Sequence, residues 1–214
     1  MKLDKKLVNS IKGFLDEDEG RCLYEAALKA GRLGPCLEIG SYCGKSTVYL
    51  GAACKKSGGI LFSIDHHRGS EEQQPGEEYF DPGLFDPLSG QIDTFREFRK
   101  TLASAALEDA VVPIVCRSET AARRWATPLS LVFIDGGHAL ETVLSDYHAW
   151  SGHLVAGGYL MIHDIFPDPA HGGQAPFQVY NLALASGRFR EVKMVKSLGI
   201  LQRQMKNTIG NPCS

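Results

Sequence analysis

At 214 residues, with 43% hydrophobic side chains and a formal net charge of -2, the chain has ample material for one apolar core and no charge excess to suggest a nucleic-acid partner. Its basic residues are scattered, and the small group Arg96, Arg99 and Lys100 reads as a solvated helix face. No apolar run approaches the length of a membrane-spanning helix, and the N-terminus lacks the charged-then-apolar order of a signal peptide, so neither a membrane partner nor export is expected.

The cysteines, Cys22, Cys36, Cys43, Cys54, Cys116 and Cys213, show no C-x-x-C pair or metal-finger spacing, which points to a reduced cytoplasmic protein. Without repeats, low-complexity tracts or a linker, residues 1–214 are expected to form one domain, with 1–33 as N-terminal helices.

Leu3, Leu7, Ile11, Phe14 and Leu15 recur at helical spacing, as do Leu23, Ala27 and Leu28 before Gly31 and Gly34, so two helices precede the first strand. Their amphipathic faces suit a lid or a dimer interface, and a homo-oligomer is one option. Residues 34–39 read as a buried strand, Gly40 and Gly44 as a tight turn, and 46–54 as a helix. Further apolar runs at 60–64, 111–116, 129–134 and 159–162 stop at Asp65, Arg117, Asp135 and the pair His163-Asp164. Helical stripes lie between them: Ile92, Phe95, Phe98 and Leu102, then Leu140, Val143, Leu144, Tyr147 and Trp150. This alternation predicts an α/β fold with a doubly wound, mostly parallel sheet whose polar strand ends share one edge. Residues 189–195 and 200–204 flank Ser197-Leu198-Gly199 and predict an antiparallel hairpin at the C-terminal edge.

Two segments, 66–90 and 165–176, are rich in Gly and Pro and read as loops. They are either walls or lids of a substrate pocket or solvated surface loops. Tyr79, Phe80, Phe85 and Phe177 either supply apolar walls or pin the chain to the domain.

The stretch Glu38-Ile39-Gly40-Ser41-Tyr42-Cys43-Gly44-Lys45-Ser46 sets a carboxylate and two glycines at the strand-to-helix turn, where an open α/β sheet holds an adenosine-bearing cofactor. A phosphate loop does not fit, because only Ser41, Tyr42 and Cys43 separate the glycines and the loop is one residue short. Glu38 would also turn negative charge toward a triphosphate. A carboxylate suits a cofactor with a positive centre, S-adenosylmethionine.

With these residues the chain resembles, from about Gly34 to Ile165, the class I S-adenosylmethionine-dependent methyltransferases, and among them the metal-dependent branch like catechol O-methyltransferase. The resemblance implies that Glu38, Gly40, Tyr42 and Ser46, with Gly44 in the turn, meet the methionine end and the sulfonium side of the cofactor. It implies that Asp65 accepts both ribose hydroxyls, that His66 lies beside the adenine, and that Ser118 and Glu119 border its rim. Asp135, His163 and Asp164 match the family's divalent-metal site, with Asp135 also bordering the cofactor. The family's usual donors there are Asp, Asp and Asn. His163 in the middle position moves the preference from Mg²⁺ toward Mn²⁺ or a softer ion and leaves the identity open. His138 stands where the branch carries a general-base lysine, and an imidazole with an ordinary pKa of about 6.5 suits removal of an acceptor proton. The activity implied is metal-assisted methyl transfer to an oxygen of a small-molecule acceptor.

Other readings of the same residues remain open at this level. Ser118 and His138 can each cap a helix, and His163 can pack in the sheet against a backbone carbonyl. If His66 and His67 reach the metal, the site becomes a two-histidine, one-carboxylate arrangement, and the fold would carry lyase, isomerase or oxygen chemistry instead. A regulatory protein that binds the cofactor without catalysis is a further alternative.

Overall fold

The computed structural model describes residues 4–205; Leu3 and Cys213 lie outside them. The first helix, α1 (Lys5–Ser10), is shorter than the apolar periodicity predicts. The chain runs on through Gly13, whose φ of 144° L side chains rarely adopt. Asp16 then starts α2 (Glu17–Ala30) with a capping box, its carboxylate accepting from Asp18 N–H while the Glu19 carboxylate accepts from Asp16 N–H. Ile11 and Leu15 are buried all the same, from an extended segment instead of a helix.

Strand β1 (Cys36–Ile39), helix α3 (Lys45–Ser57) and strand β2 (Leu61–Asp65) follow as expected. Residues 66–90 are less irregular than their composition suggests: they hold 3-10 turns at Glu71–Gln73 and Pro82–Leu84, and β3 (Phe85–Asp86) pairs with β4 (Gln91–Ile92). Ile92 therefore belongs to a strand, and α4 (Phe95–Ser104) begins after it. Next come β5 (Val111–Val115), α5 (Ser118–Ala122), β6 (Leu129–Ile134), α6 (Leu140–Trp150) and β7 (Leu154–Ile162). β7 starts at Leu154, ahead of Gly157 and Gly158, with a register irregularity against β6.

The segment expected to be a loop up to Pro176 gives way at Ala175 to a helix, α7 (Ala175–Ala185), with proline in its first turn. There a missing N–H costs nothing and the fixed φ suits the helix. Strands β8 (Phe189–Val195) and β9 (Leu198–Arg203) form the predicted hairpin.

The main sheet has the order β5-β2-β1-β6-β7-β9-β8, parallel except where β9 runs antiparallel to β7 and β8. The direction of winding changes between β1 and β6, and an open sheet binds ligands at such a switch. Register sets the site: Ile39 pairs with Ile64 and Ile134, and Ile134 pairs with Ile162. The residues that follow, Gly40, Asp65, Asp135 and His163, thus emerge at one level of one edge.

The sheet is packed on both faces. Cys36, Phe133 and Met161 pack with Leu23, Leu50 and Phe98 on the side of α2, α3 and α4. Leu37, Val132 and Ile162 pack with Tyr147, Trp150 and Val179 on the side of α6 and α7. Each such side chain contributes about 1.5–3 kcal/mol by leaving water. No helix among the described residues is long and apolar enough to cross a membrane.

Candidate functional site

The glycine turn is tied down by close backbone packing. A Cβ on Gly40 would stand 2.1 Å from the Asp135 carbonyl oxygen, and φ there is +84°. Tyr42 and Gly44 also take positive φ, 47° and 93°. Asp65 stabilises this conformation from the end of β2. One of its oxygens accepts from Ser41 N–H at 2.9 Å and Tyr42 N–H at 2.8 Å, and the other from His67 N–H at 2.7 Å. Asp65 is thus at the turn, with its carboxylate facing backbone amides.

Glu38, expected to meet the cofactor, is fully enclosed. Cys36 and Glu38 point to the α3 side of the sheet, and the Glu38 carboxylate accepts from Ser46 Oγ and Thr47 Oγ1, each at 2.6 Å, and from Ser63 Oγ at 2.8 Å. Burial pushes its pKa up to about 7, against the pull of the three hydroxyls. Glu38 and Ser46 therefore face each other beneath the turn. Thr47 and Ser63, which complete this cluster, carried no motif of their own.

At the proposed adenine side, His66 is exposed and its Nδ1 accepts from Arg68 N–H at 3.0 Å. His67 is buried beside Thr94 Oγ1 at 2.7 Å and packs on Phe95 and Phe98. Burial lowers its pKa. Neither histidine joins the cluster of potential metal donors among the described residues, so the two-histidine arrangement is not assembled. Ser118 opens α5 without capping it. Its Oγ accepts from Trp150 Nε1 at 2.7 Å, and nearby Asp146 is a buried carboxyl that burial raises to about 6 against the pull of Ser118. Glu119 is exposed.

At the ends of β6 and β7, one donor atom from each of Asp135, His163 and Asp164 lies within 4.8 Å of the others. His163 Nδ1 is 3.0 Å from Asp135 Oδ1 and 3.4 Å from Asp164 Oδ1. Its Nε2 is 3.0 Å from Glu19 Oε2, so carboxylates and not a backbone carbonyl satisfy the ring. Burial raises the Asp135 pKa, and His163 opposes that. For Asp164 burial works the same way, yet hydrogen bonds from His138 and His163 win and hold it well below the usual carboxylate range. His163 itself is raised far above an ordinary imidazole, because the surrounding carboxylates outweigh its burial.

His138 does not cap α6, which begins after Ala139 without a side-chain cap. Its Nε2 is 2.9 Å from Asp164 Oδ2 and its Nδ1 is 3.2 Å from Glu72 Oε2, a residue of the long 66–90 segment. The Asp164 hydrogen bond, opposed by burial and helped by Glu72, lifts its pKa to about 9. It is protonated at neutral pH in this arrangement. Glu19 and Glu72, both in this network, were not singled out from the sequence.

Beyond His163 and Asp164 opens a cleft of about 430 Å³, bounded by Phe14, Ile165, Phe166, Pro167, Lys196 and Ser197. That volume suits a small organic molecule. Phe14 is 71% exposed, and its ring meets Tyr79 edge-on at 5.3 Å between centroids. Phe80 and Phe85 pack on each other and on the core, and Phe177 sits on the inner side of α7, so these three pin their segments. The walls come from Phe14 and Phe166.

Comparison with known proteins agrees with this architecture. The family described as "Methyltransferase domain" matches residues 37–165, from the strand before the glycine turn to the residue after Asp164. Among solved structures, the chain is similar to the O-methyltransferase TomG from Streptomyces achromogenes, involved in tomaymycin synthesis and solved in complex with SAM. Identity is 15%, coverage 95% of this chain and 92% of that one, and the TM-score 0.65. The O-methyltransferase from Bacillus cereus in complex with SAH gives 17% identity, coverage of 95% and 93%, and a TM-score of 0.64. A protein of Corynebacterium glutamicum gives 16% identity, coverage of 97% and 94%, and a TM-score of 0.68. At these identities the likeness shows the fold. The family match covers more than half of the chain, which therefore belongs to the methyltransferase domain family and is an S-adenosylmethionine-dependent methyltransferase.

Proposed function

We propose that this enzyme methylates an oxygen of a small-molecule acceptor and holds a divalent cation with Asp135, His163 and Asp164. The observation that carries this reading is the meeting of those three side chains at one point, between the glycine turn and the 430 Å³ cleft. The donor set fits a cation. Two carboxylates and an imidazole nitrogen converge, and burial disfavours the Asp135 charge, a penalty that a bound cation offsets. An imidazole among the donors favours Mn²⁺, Fe²⁺, Co²⁺, Ni²⁺ or Zn²⁺ over Mg²⁺. A cation in that position supplies Lewis acidity that lowers the pKa of an acceptor hydroxyl.

The chain's own residues supply alignment and proton transfer. The turn at Gly40, Tyr42 and Gly44 offers backbone to the methionine end of S-adenosylmethionine, and Asp65 offers the ribose its Oδ1, the oxygen that holds a single backbone donor. His66, Ser118 and Glu119 border the adenine, and Asp135 lies between cofactor and acceptor. Glu38 and Ser46 support the turn from beneath. With Asp164 given over to a cation, the charge that keeps His138 protonated is neutralised, and the ring can then take the acceptor proton at Nε2, the nitrogen that faces Asp164. Phe14 and Phe166 offer apolar faces that orient the acceptor, and alignment is most of what an in-line transfer from a sulfonium needs. The Streptomyces and Bacillus proteins are both O-methyltransferases, which supports oxygen as the acceptor atom.

The test is to incubate the purified protein with labelled S-adenosylmethionine and a panel of catechols, phenols, amines and thiols, with and without a chelator, and to follow S-adenosylhomocysteine by mass spectrometry. Methylation of hydroxyl acceptors alone, lost with the chelator and restored by Mn²⁺, is expected. Transfer only to nitrogen or sulfur, or transfer indifferent to chelation, would contradict the proposal.

A further inference from the structure

We infer that Glu19, on α2, is a positioning residue of this metal site: it fixes the His163 tautomer that keeps the hydrogen on Nε2 and leaves Nδ1 for the metal. The inference rests on the reading of Asp135, His163 and Asp164 as ligands.

Glu19 is 2% exposed, and its carboxylate receives four donors. Oε2 accepts from Asp16 N–H at 3.2 Å and from His163 Nε2 at 3.0 Å. Oε1 accepts from Ser197 N–H at 2.9 Å and Ser197 Oγ at 2.8 Å. Those bonds use all the lone-pair positions of an ionised carboxylate, which can only accept. The group cannot turn away from the ring without abandoning the first turn of its own helix or the bend between β8 and β9. The ring nitrogen facing it must therefore carry a hydrogen. That leaves Nδ1, directed at Asp135 and Asp164, as the nitrogen that gives up its hydrogen when a cation binds.

Without Glu19 the opposite tautomer is favoured. The neutral ring would place its hydrogen on Nδ1, bonded to Asp135 Oδ1 at 3.0 Å, and its lone pair would point away from the other two donors. A carboxylate behind a ligating histidine is a recurrent way to hold a ring for metal binding. Here it comes from a helix that precedes the whole family-matched region, residues 37–165, so α2 becomes part of the metal site.

The test measures Mn²⁺ binding by the free-ion EPR signal for the full-length wild type, Glu19→Ala, His163→Asn and the double variant. Glu19→Ala should weaken binding by roughly 10–100-fold. In the His163→Asn background the same change should alter it by less than about threefold, because the ring it orients is gone. A comparable loss in both backgrounds would mean a general structural effect and overturn the inference, as would unchanged affinity in Glu19→Ala. Nitrogen NMR of the Zn²⁺-loaded wild type tests the same point without a variant: Nδ1 should show the metal-bound shift and Nε2 should keep its proton. The reverse assignment overturns the inference and leaves the ligand set standing. Absence of any metal binding by the wild type would overturn both.

Discussion

His138 Nε2 lies 2.9 Å from Asp164 Oδ2, while Nδ1 of the same ring faces Glu72 at 3.2 Å. A candidate base is thus held between a potential metal donor at the end of β7 and a carboxylate from the long 66–90 segment. His138→Gln should lower kcat by roughly 10²–10⁴-fold, the usual yield of a positioned acid or base. It should leave the affinity for S-adenosylhomocysteine, measured by calorimetry, nearly unchanged. Equal losses in turnover and cofactor affinity would place His138 in the cofactor pocket instead.

Gly40 gives a sharper structural test. A methyl there would meet the Asp135 carbonyl at 2.1 Å while φ stays at +84°, and neither backbone segment can yield without moving a strand end. Gly40→Ala should cost roughly 1–3 kcal/mol or more, seen as a drop in melting temperature, together with weaker S-adenosylhomocysteine binding. A variant with the stability and affinity of the wild type would show that the turn is not constrained in this way.

Glu38 predicts a pH dependence. Its carboxyl has an ordinary value of 4.5 and is raised to about 7 in the fold, so between those values the folded protein binds more protons than the unfolded chain. Stability is then highest below about pH 4.5 for this group and declines as pH rises to about 7, by about 3 kcal/mol in all. Asp146, raised to about 6, acts in the same direction lower in the range. Urea unfolding of cofactor-free wild type and Glu38→Gln at pH 5 and pH 8 isolates the effect: the variant should gain relative to the wild type at the higher pH. A stability difference that is the same at both would rule the assignment out.

The donor set predicts metal preference. His163→Asn replaces the imidazole by an amide and makes the cluster all oxygen, which should move the preference from Mn²⁺ toward Mg²⁺. After chelation, the ratio of methyl transfer restored by each ion reads this directly. A ratio unchanged from the wild type would remove His163 from the ligand set.

Much of the architecture was legible in the chain because it is written locally. Short apolar runs ending in Asp65, Asp135 and His163-Asp164, separated by helical stripes, specify parallel strands with polar ends, and the glycines of the turn mark where the backbone must bend. The same local reading took residues 165–176 for a loop, since Pro176 looks like a breaker until the helix it starts is seen. It also merged α1 with the extended stretch after it, because buried residues at helical spacing need not lie on one helix.

The partners of the buried charges were decided by tertiary structure. Glu19 carries no signal of its own in the sequence, yet packing of α2 against the sheet brings it to within 3.0 Å of His163, 144 positions away. Glu38 reads as a carboxylate aimed at a sulfonium, but the direction of its side chain turns it into a cage of hydroxyls from α3 and β2. Period and composition encode where elements begin and which face is apolar; which polar groups meet across elements depends on how those faces stack, and only the packed sheet contains that information.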